Sequence, residues 1–138
     1  MSIEGAIYTL LSGASEITDK LATYNGYPAV FSFSPIPSDC QNPAITIESL
    51  AATTSNAVNR AKRGGEMFVD VSIWGDKDQS EKEIRDVAWD MWKQLDRGIL
   101  TASGLSIIAC FAGAPVRLSD PENFPGYLVS CRVIFTEA

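Results

Sequence analysis

Between Glu66 and Arg97 the hydrophobic period of the chain changes from two to about 3.6, which restricts the fold more than any other feature. From Glu66 to Trp74, Val69, Val71 and Ile73 alternate with Phe68, Asp70, Ser72 and Trp74, as in a strand covered on one side. From Ser80 to about Arg97, Ile84, Val87, Ala88, Met91, Trp92 and Leu95 form one apolar helical stripe. Ser80 and Glu83 make a capping box at its start, and Gly98 is expected to end it. A strand followed by a long amphipathic helix needs a sheet face for that helix to cover.

The rest of the chain supplies such a sheet. Strands are expected over 44–50, 105–112 and 127–136; in the last, Tyr127, Val129, Cys131, Val133 and Phe135 share a face. Residues 2–11 read as a helix capped by Ser2, with Ile3, Ala6, Ile7, Leu10 and Leu11 inward. A shorter helix from Ser15 carries Ile17, Leu21 and Tyr24 inward and is expected to stop at Asn25-Gly26. Pro28, Pro35, Pro37 and Pro43 leave 29–33 an edge strand at most. The expected class is α+β: a mainly antiparallel four- to five-stranded sheet with helices packed on one face, in the order α-α-β-β-β-α-β-β. The 138 residues suit a single domain, 1–138, with an extended loop at about 51–65, too long for a tight hairpin.

Composition then removes chemistry. The chain has no histidine, so His general bases, His-ligated metals and Ser-His-Asp triads are all excluded. Eleven Lys and Arg against seventeen Asp and Glu give a net charge of -6, which argues against a protein that coats nucleic acid. Cys40, Cys110 and Cys131 are far apart and form no C-x-x-C; reduced core thiols are expected, a bridge between Cys110 and Cys131 requiring that their strands pair. The first residues lack the basic region of a signal peptide, and no apolar run is long enough to span a bilayer, so a soluble, cytosol-made protein is expected.

Asp76-Lys77-Asp78-Gln79-Ser80 imitates the start of a calcium loop, but Glu81 stands where the loop needs glycine and Val87 where it needs a bidentate glutamate. A capped turn explains these residues. Glu83, Asp86 and Asp90 alternate with Lys82, Arg85 and Lys93 as a solvated face, with Glu81 and Arg85 spaced to pair along the helix. The one basic cluster, Arg60, Lys62 and Arg63 after Asn59, is either a solvated loop tip or a tip that reaches an acidic surface, in a neighbouring subunit or in passing nucleic acid. Gly64-Gly65 after it is no P-loop. Trp89 falls off the apolar stripe, as an ordinary exposed aromatic or as an interface anchor does. Catalytic, cofactor-binding and metal-binding residues: none are expected. Asn59, Arg60, Lys62, Arg63 and Trp89 are the candidate subunit or partner interface.

Taken in order, several segments resemble the small tail-terminator, or tail-completion (head-to-tail joining), proteins of long-tailed bacteriophages. They are the opening Met-Ser-Ile-Glu-Gly-Ala-Ile-Tyr-Thr-Leu-Leu, Tyr27-Pro28, Pro43-Ala44-Ile45-Thr46-Ile47, and the long loop. Phe68-Val69-Asp70-Val71-Ser72-Ile73-Trp74, the helix ending Leu95-Asp96-Arg97-Gly98 and the last strand near Phe135 continue the series. The resemblance implies a virion protein of the tail or neck, assembled in the host cytoplasm. It implies a homo-oligomeric ring, commonly six-fold, that caps the tail tube at its finished length and meets the tube protein and a head-completion or neck protein. It implies no cofactor, no turnover and no membrane, with DNA passing through the channel without specific binding. Exposed sheet edges and the 51–65 arm would then pair head to tail between subunits. The alternatives are another neck or head-completion adaptor of the same virion, a small enzyme using Asp/Glu, Cys or Lys, or a DNA-binding module carried by Arg60, Lys62 and Arg63.

Overall fold

The computed structural model describes residues 3–32, 36–55, 64–120 and 122–137. Two helices, α1 (Ile3–Ser12) and α2 (Ser15–Thr18), precede three two-residue strands, β1 (Thr23–Tyr24), β2 (Tyr27–Pro28) and β3 (Val30–Phe31). Then come β4 (Ala44–Ser55), β5 (Gly64–Trp74), α3 (Glu81–Leu95), β6 (Leu105–Ala112), β7 (Val116–Arg117) and β8 (Gly126–Glu137). The main sheet runs β3-β4-β5-β8-β6, and β7 adds a sixth strand by pairing with β8. Every pairing in it is antiparallel except β3 with β4. The α+β expectation holds, with three strands more than expected: β7 in the main sheet, and β1 and β2, which form a separate two-stranded sheet.

The helices cover one face of this sheet. Ile45 and Ile47 of β4, Val69, Val71 and Ile73 of β5, and Val129, Cys131 and Val133 of β8 meet Ile3, Ile7, Leu11 and Ile17 in one buried cluster. Ile84, Val87, Ala88, Met91 and Leu95 of α3 complete it, so the period-two and helical stripes mark the two sides of one core. Each large side chain taken fully out of water there contributes about 1.5–3 kcal/mol. Ser80 Oγ accepts the Glu83 N–H at 3.2 Å, as a helix N-cap should.

Three local expectations fail. The second helix ends at Thr18, and Asn25-Gly26 (φ 51° and 83°) is the tip of the β1–β2 hairpin rather than a helix cap. Both sites want left-handed residues, so the dipeptide suits either. Tyr24 accordingly sits on β1, edge-on to Phe31 at 5.5 Å, beside a second small cluster of Ala29, Phe31 and Ala44. The expected 51–65 loop is shorter, because β4 and β5 stay paired out to Ser55 and Gly64, leaving 56–63 outside the described residues. After α3 the left-handed residue is Arg97 (φ 59°), one position before the expected Gly98. The Ser2 cap also lies outside the described residues.

Cys110 and Cys131 are both free and buried, although their strands do pair. A hydrogen bond shared with Cys110, together with burial, holds the Cys131 thiol far above the ordinary cysteine range.

Candidate functional site

Of the candidate interface residues, Asn59, Arg60, Lys62 and Arg63 lie outside the described residues; Trp89 is described, and it opens the way to a surface. It is 41% exposed and packs edge-on against Trp92 with ring centroids 5.6 Å apart. Trp92 Nε1 donates to the Ala112 carbonyl of β6 at 3.0 Å, which places this pair of rings against the outer border of the sheet. The other side of α3 faces α2 and the turn after it, through Gln94 to Glu16 and Lys20 to Asp90 at 3.0 Å.

That border is closed along its backbone at the Cys110–Ala112 end. The Ala112 N–H donates to the Asp96 carboxylate at 3.0 Å, and the Cys110 carbonyl accepts the Arg97 N–H at 2.7 Å. A register shift between Ile107 and Ala109 marks a bulge at Ile108, and Ala102 forms a bridge with Leu105. Covered carbonyls and a bulge are how edge strands avoid pairing with another chain. The expected head-to-tail extension of the sheet therefore has no free backbone to use at Cys110 and Ala112. At the opposite border β3 pairs with Ile45 and Thr46 of β4.

What the β6 side does present is apolar side chains. Ile99 (87% exposed), Ile108 (62%) and Phe111 line one groove of about 220 Å³, and Val116 (60%) stands on β7, the next strand along β8. Sequence reasoning missed all four. The Ile107-Ile108 doublet was the available signal, because two large apolar neighbours break the period of a half-covered strand and point to a bulge.

Asn42 Nδ2 donates to Asp76 Oδ1, and the Asp76 N–H to Gln79 Oε1, so the calcium-like stretch is a tight turn before α3. Among the described residues no group of three or more Cys, Asp or Glu is placed to hold a metal ion, and no helix is long and apolar enough to cross a membrane. On the uncovered sheet face a groove of about 460 Å³ is bordered by Thr46, Glu48, Ser72, Trp74, Asp120 and Phe124, with no hydrogen-bonded nucleophile and base among them.

Glu81 pairs across the fold rather than along its helix. It accepts from the Tyr127 hydroxyl at 2.8 Å and from Arg117 Nε at 3.0 Å, tying α3 to β8 and β7. The Tyr127 hydrogen bond, then the Arg117 charge, hold its carboxyl below the ordinary glutamate range. A lowered folded pKa stabilises fully above the unfolded value, near 4.5, and that contribution disappears as pH falls through the folded value. Glu81→Gln is therefore expected to flatten the stability loss between neutral pH and about pH 3, read as urea midpoints at each pH. An unchanged slope in the variant would show that the contact does not titrate with folding.

No family model matches the chain, and no curated protein matches it. Among solved structures it is similar to a chain of the "Virion of native gene transfer agent (GTA) particle", with a TM-score of 0.71 at 12% identity. The alignment covers 98% of this chain and 95% of that one. At that identity the likeness is one of fold, over the full length of both chains.

Proposed function

We propose that this chain is a structural virion protein of the tail or neck: a tail terminator that forms a homo-oligomeric ring, commonly six-fold in the family it resembles. The ring caps the tail tube at its final length and joins the tail to the head. The observation that supports this reading is the end-to-end fold likeness to a chain of a virion particle. The resemblance of segment order to tail-completion proteins points the same way, and it came from the sequence independently. Function on this account is association, with the tube protein on one face of the ring and a neck protein on the other. Asn59, Arg60, Lys62, Arg63 and Trp89 belong to its contacts, and DNA passes through the channel without specific binding. An acidic chain suits that passage, because like charge keeps DNA from sticking.

The test is to add the protein to polymerising tube subunits and measure tube lengths by electron microscopy. Tubes should stop at shorter, more uniform lengths as the protein is raised. Tubes of unchanged length at saturating protein would overturn the capping role.

A further inference from the structure

We propose that the groove on the uncovered sheet face is a binding site for an alkylguanidinium group, the arginine side chain of a partner protein. Such a site serves the chain at any place in a virion, so it does not depend on the ring reading. Among the described residues Thr46 is the one buried polar side chain, 5% exposed, and it lines this groove. Its hydroxyl has no hydrogen-bond partner among those residues, and unlike the Ser12 hydroxyl it is not sealed away from solvent. A buried hydroxyl without a partner costs free energy until a ligand supplies one.

Charge and shape name the ligand. Glu48 borders the groove and forms no ion pair among the described residues. In the β4–β5 register it stands directly opposite Asp70, whose carboxylate accepts from the Ser130 hydroxyl at 2.9 Å rather than from a cation. Like charges so placed repel, and a cation set beside them relieves the repulsion. From the turn after β7, Asp120 Oδ2 accepts the N–H groups of Glu122 and Phe124 at 3.2 and 3.0 Å, which fixes the carboxylate and leaves Oδ1 for a ligand. Trp74 supplies a flat wall: its ring lies so close to Gly126 that an added methyl there would stand 2.5 Å from two ring carbons. Lys77 Nζ already occupies the neighbouring Phe124 ring, 5.1 Å from its centroid, which leaves the Trp74 ring for the ligand. A planar guanidinium stacks on such a ring while its N–H groups reach carboxylates and a hydroxyl at its edge; a point-charge ammonium has no plane to stack.

Titrating the labelled full chain with Nα-acetyl-arginine amide tests this, read by NMR at the Trp74 indole and at the Thr46 and Glu48 amides. The expected result is saturable shifts at these groups with a Kd of about 1 mM. Trp89 and Trp92, on the helix over the covered face, should stay still. The lysine and citrulline analogues, which keep only the charge or only the plane, should each bind about five- to tenfold more weakly. Glu48→Gln, at an exposed position, should keep the wild-type melting curve and weaken arginine binding about tenfold. Thr46→Val should weaken it about fivefold and Thr46→Ser, which keeps the hydroxyl, much less. Absence of saturation up to ~20 mM, equal binding of the citrulline or lysine analogue, or a Glu48→Gln chain that binds like wild type overturns the site. So do equal shifts at Trp89 and Trp92. Tighter binding of free arginine, whose own carboxylate would face Glu48 and Asp120, overturns a protein-borne side chain as the source. None of these results bears on tube length, which judges the capping role separately.

Discussion

Ile73→Ala is expected to cost about 3–4 kcal/mol, the range for emptying a well-packed interior site. Ile73 is fully buried in β5 between its cross-strand partners Ile45 on β4 and Tyr127 on β8, and the helices close the space above it. Neighbouring strands hydrogen-bonded on both sides cannot move in to fill the void, so little of the loss is recovered. Ser72, the adjacent residue, points to the uncovered face, and Ser72→Ala should stay within about 0.5 kcal/mol. Urea denaturation of the two variants reads the contrast directly. Equal losses at the two positions would mean that the covered face has been assigned to the wrong side of the sheet.

Gly98→Ala should lose about 2–3 kcal/mol through the opposite fault, too many atoms rather than too few. A methyl group there would collide with the Gln94 carbonyl oxygen and come within 3.2 Å of Leu10 Cδ2 and 3.3 Å of the Leu95 carbonyl. The first neighbour is helix backbone, which can retreat only by unwinding the last turn of α3. That turn positions Asp96 and Arg97 on β6, so the damage should spread to the sheet border. Gly113→Ala is the control, because the nearest atom to its added carbon is the Ser130 oxygen at 3.9 Å. If both glycine variants melt with wild type, the tight passage after α3 is not present in solution.

The elements legible in the sequence are those whose burial imposes a period. The alternation at Val69, Val71 and Ile73 and the stripe from Ile84 to Leu95 both describe contact with one core, and both appear where they were expected. Ala51 to Ser55 carried no such signal, being small and weakly polar, so its pairing with β5 stayed hidden. Asn25-Gly26 was misread for a chemical reason: a helix stop and a hairpin tip demand the same left-handed backbone, and only distant packing decides between them. At Arg97 a non-glycine residue takes the left-handed conformation because its N–H reaches Cys110, a partner set by tertiary structure. The groove lined by Ile99, Ile108 and Phe111 was invisible for a related reason: these residues come from a loop, a bulge and a strand, and no local repeat connects them.

One property of the sheet reaches back to synthesis. β8 is made after every strand it touches, yet it alone joins β5 to both β6 and β7. Until it leaves the ribosome, β6 and β7 have nothing to zip onto, and α3 lacks much of its floor. Chains in which β8 has not yet paired should therefore remain open and chaperone-accessible, and close as a unit once it does.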